Sequence, residues 1–148
     1  MANSEVAIAN LLYRYAEYVD SGDFEGAAAL FLHARVLSRD GELDHAGVLA
    51  LWQGRVTLYD DGTPRTKHVI TNPIIEVDEA AGTGTCRSYY TVLQQVGDCA
   101  LHPIICGRYH DEFERVDGVW RFRFRNYSLT DLIGNLSKHL TPDQRGRA

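Results

Sequence analysis

The sequence predicts an α+β domain in which helices come first and a curved antiparallel sheet follows. Three observations carry this. Between residues 8 and 19, apolar side chains recur at helical spacing. From residue 66 onward, long stretches rich in β-branched and aromatic residues dominate. Between two of these, Asp117-Gly118 has the composition of a two-residue hairpin turn. Strands of this length curve strongly, so the helices are expected to close the concave side and leave a pocket beside the first helix.

Taken in order, Ile8, Leu11, Leu12, Tyr15 and Val19 make one face of the first helix. Ser4 is its expected cap, and Asp20-Ser21-Gly22 its stop. Asp23 caps a short second helix with Phe24, Ala27, Ala28, Leu30 and Phe31 as its apolar set. A third helix is expected over 46–52, and a strand fragment over 36–38. The cluster Asp60-Asp61-Gly62-Thr63-Pro64 marks a turn. Strands are then expected over 66–71 and 74–77, broken at Asn72-Pro73, and over 83–96, 100–116 and 119–127. Leu129, Leu132, Ile133, Leu136 and Leu140 suggest a last amphipathic helix capped by Thr130. The polar tail 141–148 is expected to fray. At 148 residues, the whole chain, 1–148, reads as one domain.

The hairpin turn implies a register. With Asp117-Gly118 as the loop, Phe113 faces Phe122 and Arg115 faces Trp120. On the other face, Glu114 would meet Arg121, Glu112 would meet Arg123, and His110 would meet Arg125. That face is therefore expected to be wet, with Arg108, Arg121, Arg123 and Arg125 on it. Phe113, Phe122 and Phe124 would point to the core. Asp111 falls on the core face opposite Phe124 and needs a partner or a polar pocket.

Composition narrows the function. The net charge is −5 and no Lys/Arg-rich run occurs, which argues against a nucleic-acid partner. No apolar run is long enough to span a membrane, and the N-terminus lacks the pattern of a signal peptide. The three cysteines, Cys86, Cys99 and Cys106, form no CxxC pair and read as reduced thiols of a cytoplasmic protein. No HxH or HExxH pattern suggests a metal site, and no Gly-rich phosphate loop suggests a nucleotide. No cofactor is expected.

Four blocks carry a resemblance. They are residues 12–23 (LYRYAEYVDSGD), 67–72 (KHVITN), 107–113 (GRYHDEF) and 117–122 (DGVWRF). In this order they resemble the SnoaL-like proteins of the NTF2-like superfamily. The resemblance implies a cone-shaped α+β barrel. The most similar branch holds scytalone dehydratase, a bile-acid dehydratase and a hexachlorocyclohexane dehydrochlorinase. Those enzymes pair a helix-end Asp with a strand His, and the matching positions here are Asp20 and His68. Tyr15 matches a helix Tyr of the bile-acid enzyme.

The resemblance implies a cofactor-independent, dehydratase-like lyase acting on an apolar cyclic molecule, a polyketide, terpenoid, steroid or aromatic compound. His68 would be the base, Asp20 its orienter, and Tyr15 a donor to a substrate oxygen. Trp52, Tyr89, Tyr90, Tyr109 and Asp111 are the candidate pocket residues. Tyr89 and Tyr90 point to opposite faces of their strand, so at most one can line a pocket. An isomerase or polyketide cyclase of the same fold is the alternative, as is a non-catalytic subunit resembling the β-subunit of ring-hydroxylating dioxygenases. Sheets of this shape associate, and the polar ladder is the candidate surface for a homodimer or homotrimer.

Overall fold

The computed structural model describes residues 3–142. Three helices come first: α1 (Ser4–Asp20), α2 (Phe24–Ala29) and α3 (His45–Arg55), with β1 (Arg35–Ser38) and β2 (Gly41–Leu43) between the last two. Four long strands follow: β3 (Thr66–Asp78), β4 (Thr83–Gln94), β5 (His102–Val116) and β6 (Val119–Ile133). They form one curved six-stranded sheet in the order β2-β1-β6-β5-β4-β3, which is not closed into a barrel. The pairing is antiparallel except between β1 and β6, which run parallel. Among the described residues no helix is long and apolar enough to cross a membrane.

The helix ends follow side-chain chemistry. Asn3, rather than Ser4, caps α1 by accepting from the Val6 N–H at 3.1 Å. Asp23 and Asp44 accept from Gly26 and Gly47 N–H, each at 2.8 Å, and cap α2 and α3. The expected apolar set of α1 is buried and packs into the core with Phe24, Phe31, Phe113 and Phe122. Gly22 ends the helical stretch at φ +81°. A Cβ there would lie 2.1 Å from the Gly62 carbonyl oxygen, so the α1 end and the 60–64 turn fit together only around a glycine.

The hairpin corrects part of the expected register. Phe113 faces Phe122, and Glu114 faces Arg121, with Arg121 Nε 3.0 Å from Glu114 Oε1. The pairing then shifts by one residue between Glu112 and Phe113. Glu112 faces Phe124 rather than Arg123, His110 faces Asn126, and Asp111 faces Arg125. Arg123 is the extra residue of a β-bulge, and it inverts the facing of the residues after it as far as the next register shift, between His110 and Arg108. Phe124 therefore leaves the core face. Arg125, expected on the wet face, is buried with 1% of its surface accessible.

The expected C-terminal helix is also absent. β6 continues to Ile133, with Leu129 facing Arg108 and Thr130 facing Gly107. The physical reason is β5, whose backbone groups from Ile105 to Arg108 need ladder partners that a helix cannot supply. Leu132 and Ile133 are exposed, and of the expected apolar set Leu136 packs against the core from an irregular segment rather than from a helix. Of the tail expected to fray, Thr141 is instead bonded, its N–H donating to the Arg55 carbonyl at 2.8 Å. Residues 143–148 lie outside the described residues. The three cysteines are free: Cys99 accepts from Lys138 Nζ at 2.7 Å, and Cys106 contacts Thr91.

Candidate active site

Asp20 closes α1, where a carboxylate meets the negative end of the helix dipole and needs compensating donors. Three converge on it. Thr66 Oγ1 donates to Oδ1 at 2.9 Å, the His68 backbone N–H donates to Oδ2 at 2.7 Å, and His68 Nδ1 stands 2.6 Å from Oδ1. The backbone donor is available because β3 is the outer strand of the sheet, so part of its ladder has no strand partner. A carboxylate only accepts, so Nδ1 carries the proton of the neutral ring, and Nε2 is its basic nitrogen.

A groove of about 560 Å³ between α1 and β3 reaches this pair. Tyr13, Glu17, Lys67 and Ile70 line it together with Asp20 and His68. Both side chains of the pair are otherwise nearly enclosed, with 7% and 8% of their surface accessible.

On the other side of the pair lies a buried aromatic cluster. Tyr15 meets His68 edge-on at 6.2 Å between ring centroids, and Trp52 and Tyr109 lie at 5.8 and 5.9 Å from it. Tyr90 stacks on Tyr109 at 4.5 Å. The Tyr15 and Tyr109 side chains are hydrogen-bonded to each other, and burial raises both phenol pKa values, that of Tyr109 strongly. Arg125 sits among these rings, 3.9 Å over Tyr109 and 4.5 Å over Tyr15. Its Nε and Nη2 donate to the two Asp111 oxygens at 2.7 and 2.9 Å. Burial works against the guanidinium charge, but the Asp111 carboxylate outweighs it, and the Arg125 pKa is raised. Nη1 of Arg125 has no hydrogen-bond partner among the described residues.

The structure thus brings Asp20, His68 and Tyr15 together. Trp52, Tyr90, Tyr109 and Asp111 pack behind them, and none of the four lines the groove. Tyr89 is 53% exposed on the other face of β4. Two groups escaped the sequence reading. Arg125 was hidden by the bulge, and the one signal for it was the need of Asp111 for a partner. His139 had no sequence signal. It is buried close enough to His68 and Asp20 to feel the charge of both, and its Nδ1 has no hydrogen-bond partner among the described residues. Burial first, and His68 second, push its pKa down to about 4 against the pull of Asp20. Among the described residues no group of three His, Cys, Asp or Glu side chains could hold a metal ion.

The comparisons with known proteins agree with this architecture. A family model described as a SnoaL-like domain matches residues 1–126. No curated protein matches the sequence. Among solved structures, LinA is 23% identical at a TM-score of 0.68, with 95% of each chain covered. A scytalone dehydratase candidate from Novosphingobium aromaticivorans is 20% identical at 0.66, over 86% of this chain and 84% of that one. The β-subunit of a candidate aromatic-ring-hydroxylating dioxygenase from the same organism is also 20% identical at 0.66, over 88% and 90%. At these identities the likeness establishes the shared fold, and the family match gives the membership: the chain belongs to the SnoaL-like family.

Proposed function

We propose that this protein is a cofactor-independent lyase of the dehydratase type. It would abstract a proton from an apolar cyclic substrate that enters the groove beside Asp20 and His68. The observation that carries the reading is the Nδ1 to Oδ1 contact of 2.6 Å, made by a carboxylate that two further donors hold in place. A scaffold has no need of an imidazole whose tautomer is set in this way at the edge of a groove.

The steps balance without a second reactant. His68 Nε2 takes a proton from a substrate carbon, and the C–H electron pair becomes the new double bond. The leaving oxygen departs with its own bonding pair and collects the proton from the His68 imidazolium. Asp20 stabilises that imidazolium while it exists. A positioned base of this kind contributes about 10²–10⁴-fold.

The test begins with mass spectrometry of ligands that co-purify with the protein, followed by turnover assays on the ligand found. His68→Ala is expected to lower kcat by about 10²–10⁴-fold with binding by calorimetry largely retained. Asp20→Asn is expected to lower kcat as well. Wild-type turnover by both variants would make the pair structural and assign the chemistry to other groups, whereas no turnover of the ligand by wild type would leave a binding role for the protein. A product isomeric with the ligand, with nothing lost, would replace elimination by isomerisation through the same first step.

A further inference from the structure

A second groove lies at the opposite end of β3 and β4 from His68. Its volume is about 460 Å³, and Glu76, Thr83, Thr85, Glu112 and Arg123 are among its lining residues. In the ladder Glu76 faces Thr85, and Thr85 faces Glu112. Thr85 is exposed between the buried Gly84 and Cys86, so this row stands on the outer face of the sheet. The short threonine is the floor between two longer carboxylates. Neither glutamate is in an ion pair among the described residues. The opposite charge sits one row along the same face. Arg87 has Ile74 on one side and His110 on the other, and it too is in no ion pair among the described residues.

Arg87 and Thr85 are two residues apart on one strand, and this spacing makes the face complementary to itself. A two-fold axis lying across β4 at the level of Cys86 places Arg87 of each copy over Thr85 of the other. There the guanidinium stands between Glu76 and Glu112 of the second copy. On β5 the same axis lays His110 over Glu112, and on β4 it lays Tyr89 over Thr83. Stacked sheets are about 10 Å apart, a gap that an arginine and a glutamate side chain span together. Ile74 and Tyr89, both exposed on this face, are covered in the same step.

We propose that this outer face binds a second copy of the chain, with Arg87 of each copy entering the other's groove between Glu76 and Glu112, so that the protein is a two-fold dimer. The patch carries both the charge and its counter-charge, so one pairing fills both grooves and closes the assembly. The charges set the register and exclude other packings, while Ile74, Tyr89 and the arginine stem supply apolar burial. No residue of this contact lines the groove at Asp20 and His68, so the dimer and the lyase reading are tested separately.

Light scattering after size exclusion is expected to give wild type twice the chain mass of 16.6 kDa. Arg87→Glu sets like charges against each other at both contacts, and so does the double variant Glu76→Arg/Glu112→Arg. Each is expected to raise the dimer dissociation constant about a hundredfold. An equimolar mixture of the two is expected to dimerise as wild type does, because every facing pair in the mixed dimer is again of opposite charge. Rescue by mixing separates a contact between copies from one within a chain. All three side chains are exposed, so the variants should keep the wild-type circular dichroism. In a mixture of ¹³C-labelled and unlabelled wild type, isotope-filtered NOEs are expected from Tyr89 of one copy to Thr83 of the other. That spectrum decides the matter if a variant does not fold. A monomeric wild type, a larger oligomer, a dimer that neither variant weakens, a mixture that stays monomeric or absent NOEs would each overturn the proposal.

Discussion

At the residue scale the most demanding group is Arg125, a guanidinium enclosed by four aromatic rings and bound through two nitrogens to Asp111. Removing one partner of a buried ion pair leaves an uncompensated charge, which costs about 3–5 kcal/mol. Asp111→Asn and Arg125→Met are each expected to destabilise the fold by that order in urea unfolding. The double variant Asp111→Leu/Arg125→Met is expected to lose less than the sum, because it buries no unpaired charge. Strict additivity would show that the two groups do not depend on each other. Half of this pair was legible in the sequence. An aspartate on a core-facing strand position must have a partner, and Asp111 announced one. Its identity was not legible, because strict alternation along the return strand turns Arg125 outward.

Elements fail or succeed here on local geometry. At Gly22, φ is +81° and the Gly62 carbonyl oxygen occupies the space of a Cβ. Gly22→Ala is therefore expected to cost more than the roughly 1 kcal/mol of a left-handed alanine alone. It should also displace Asp20, two residues earlier, so thermal unfolding and the His68 imidazole resonances should shift together. The Glu114–Arg121 pair across the hairpin is partly exposed on both sides. Its double-mutant-cycle coupling is expected at about 0–1 kcal/mol. The first helix, β4, β5 and the Asp117-Gly118 turn were legible because each follows from a short window of sequence, whereas the break expected at Asn72-Pro73 is a register shift within one continuous β3. Two features were not. The bulge at Arg123 is set by packing, since only a one-residue shift puts Arg125 against Asp111 among the rings. The last strand reads as a helix locally and becomes a strand because β5 beside it needs partners. Asp20 and His68 were legible as a pair through resemblance, whereas His139 lies 71 positions from His68 in the segment after β6, whose course no local pattern records.

For the molecule as a whole, the segment after β6 bears on stability through His139. His139 is buried as a neutral ring with its pKa pushed down to about 4, against an ordinary histidine value of 6.5. Between those pH values the unfolded chain binds a proton that the folded chain refuses. Stability contributed by this group therefore rises with pH across that window and is lost as pH falls from about 6.5 toward 4. The full difference corresponds to about 3 kcal/mol, from about 1.4 kcal/mol per unit. Carboxylates titrate in the same range, so the measurement is a comparison of wild type with His139→Phe. Urea unfolding of both from pH 4 to pH 7.5 should show wild type losing up to about 3 kcal/mol of stability relative to His139→Phe as pH falls, most of it between about 6.5 and 4. Parallel curves would mean that His139 keeps an ordinary pKa and that water reaches its ring. Divergent curves would mean that protonating His139 costs folding stability, at a residue whose carbonyl the Thr57 N–H holds at 2.9 Å.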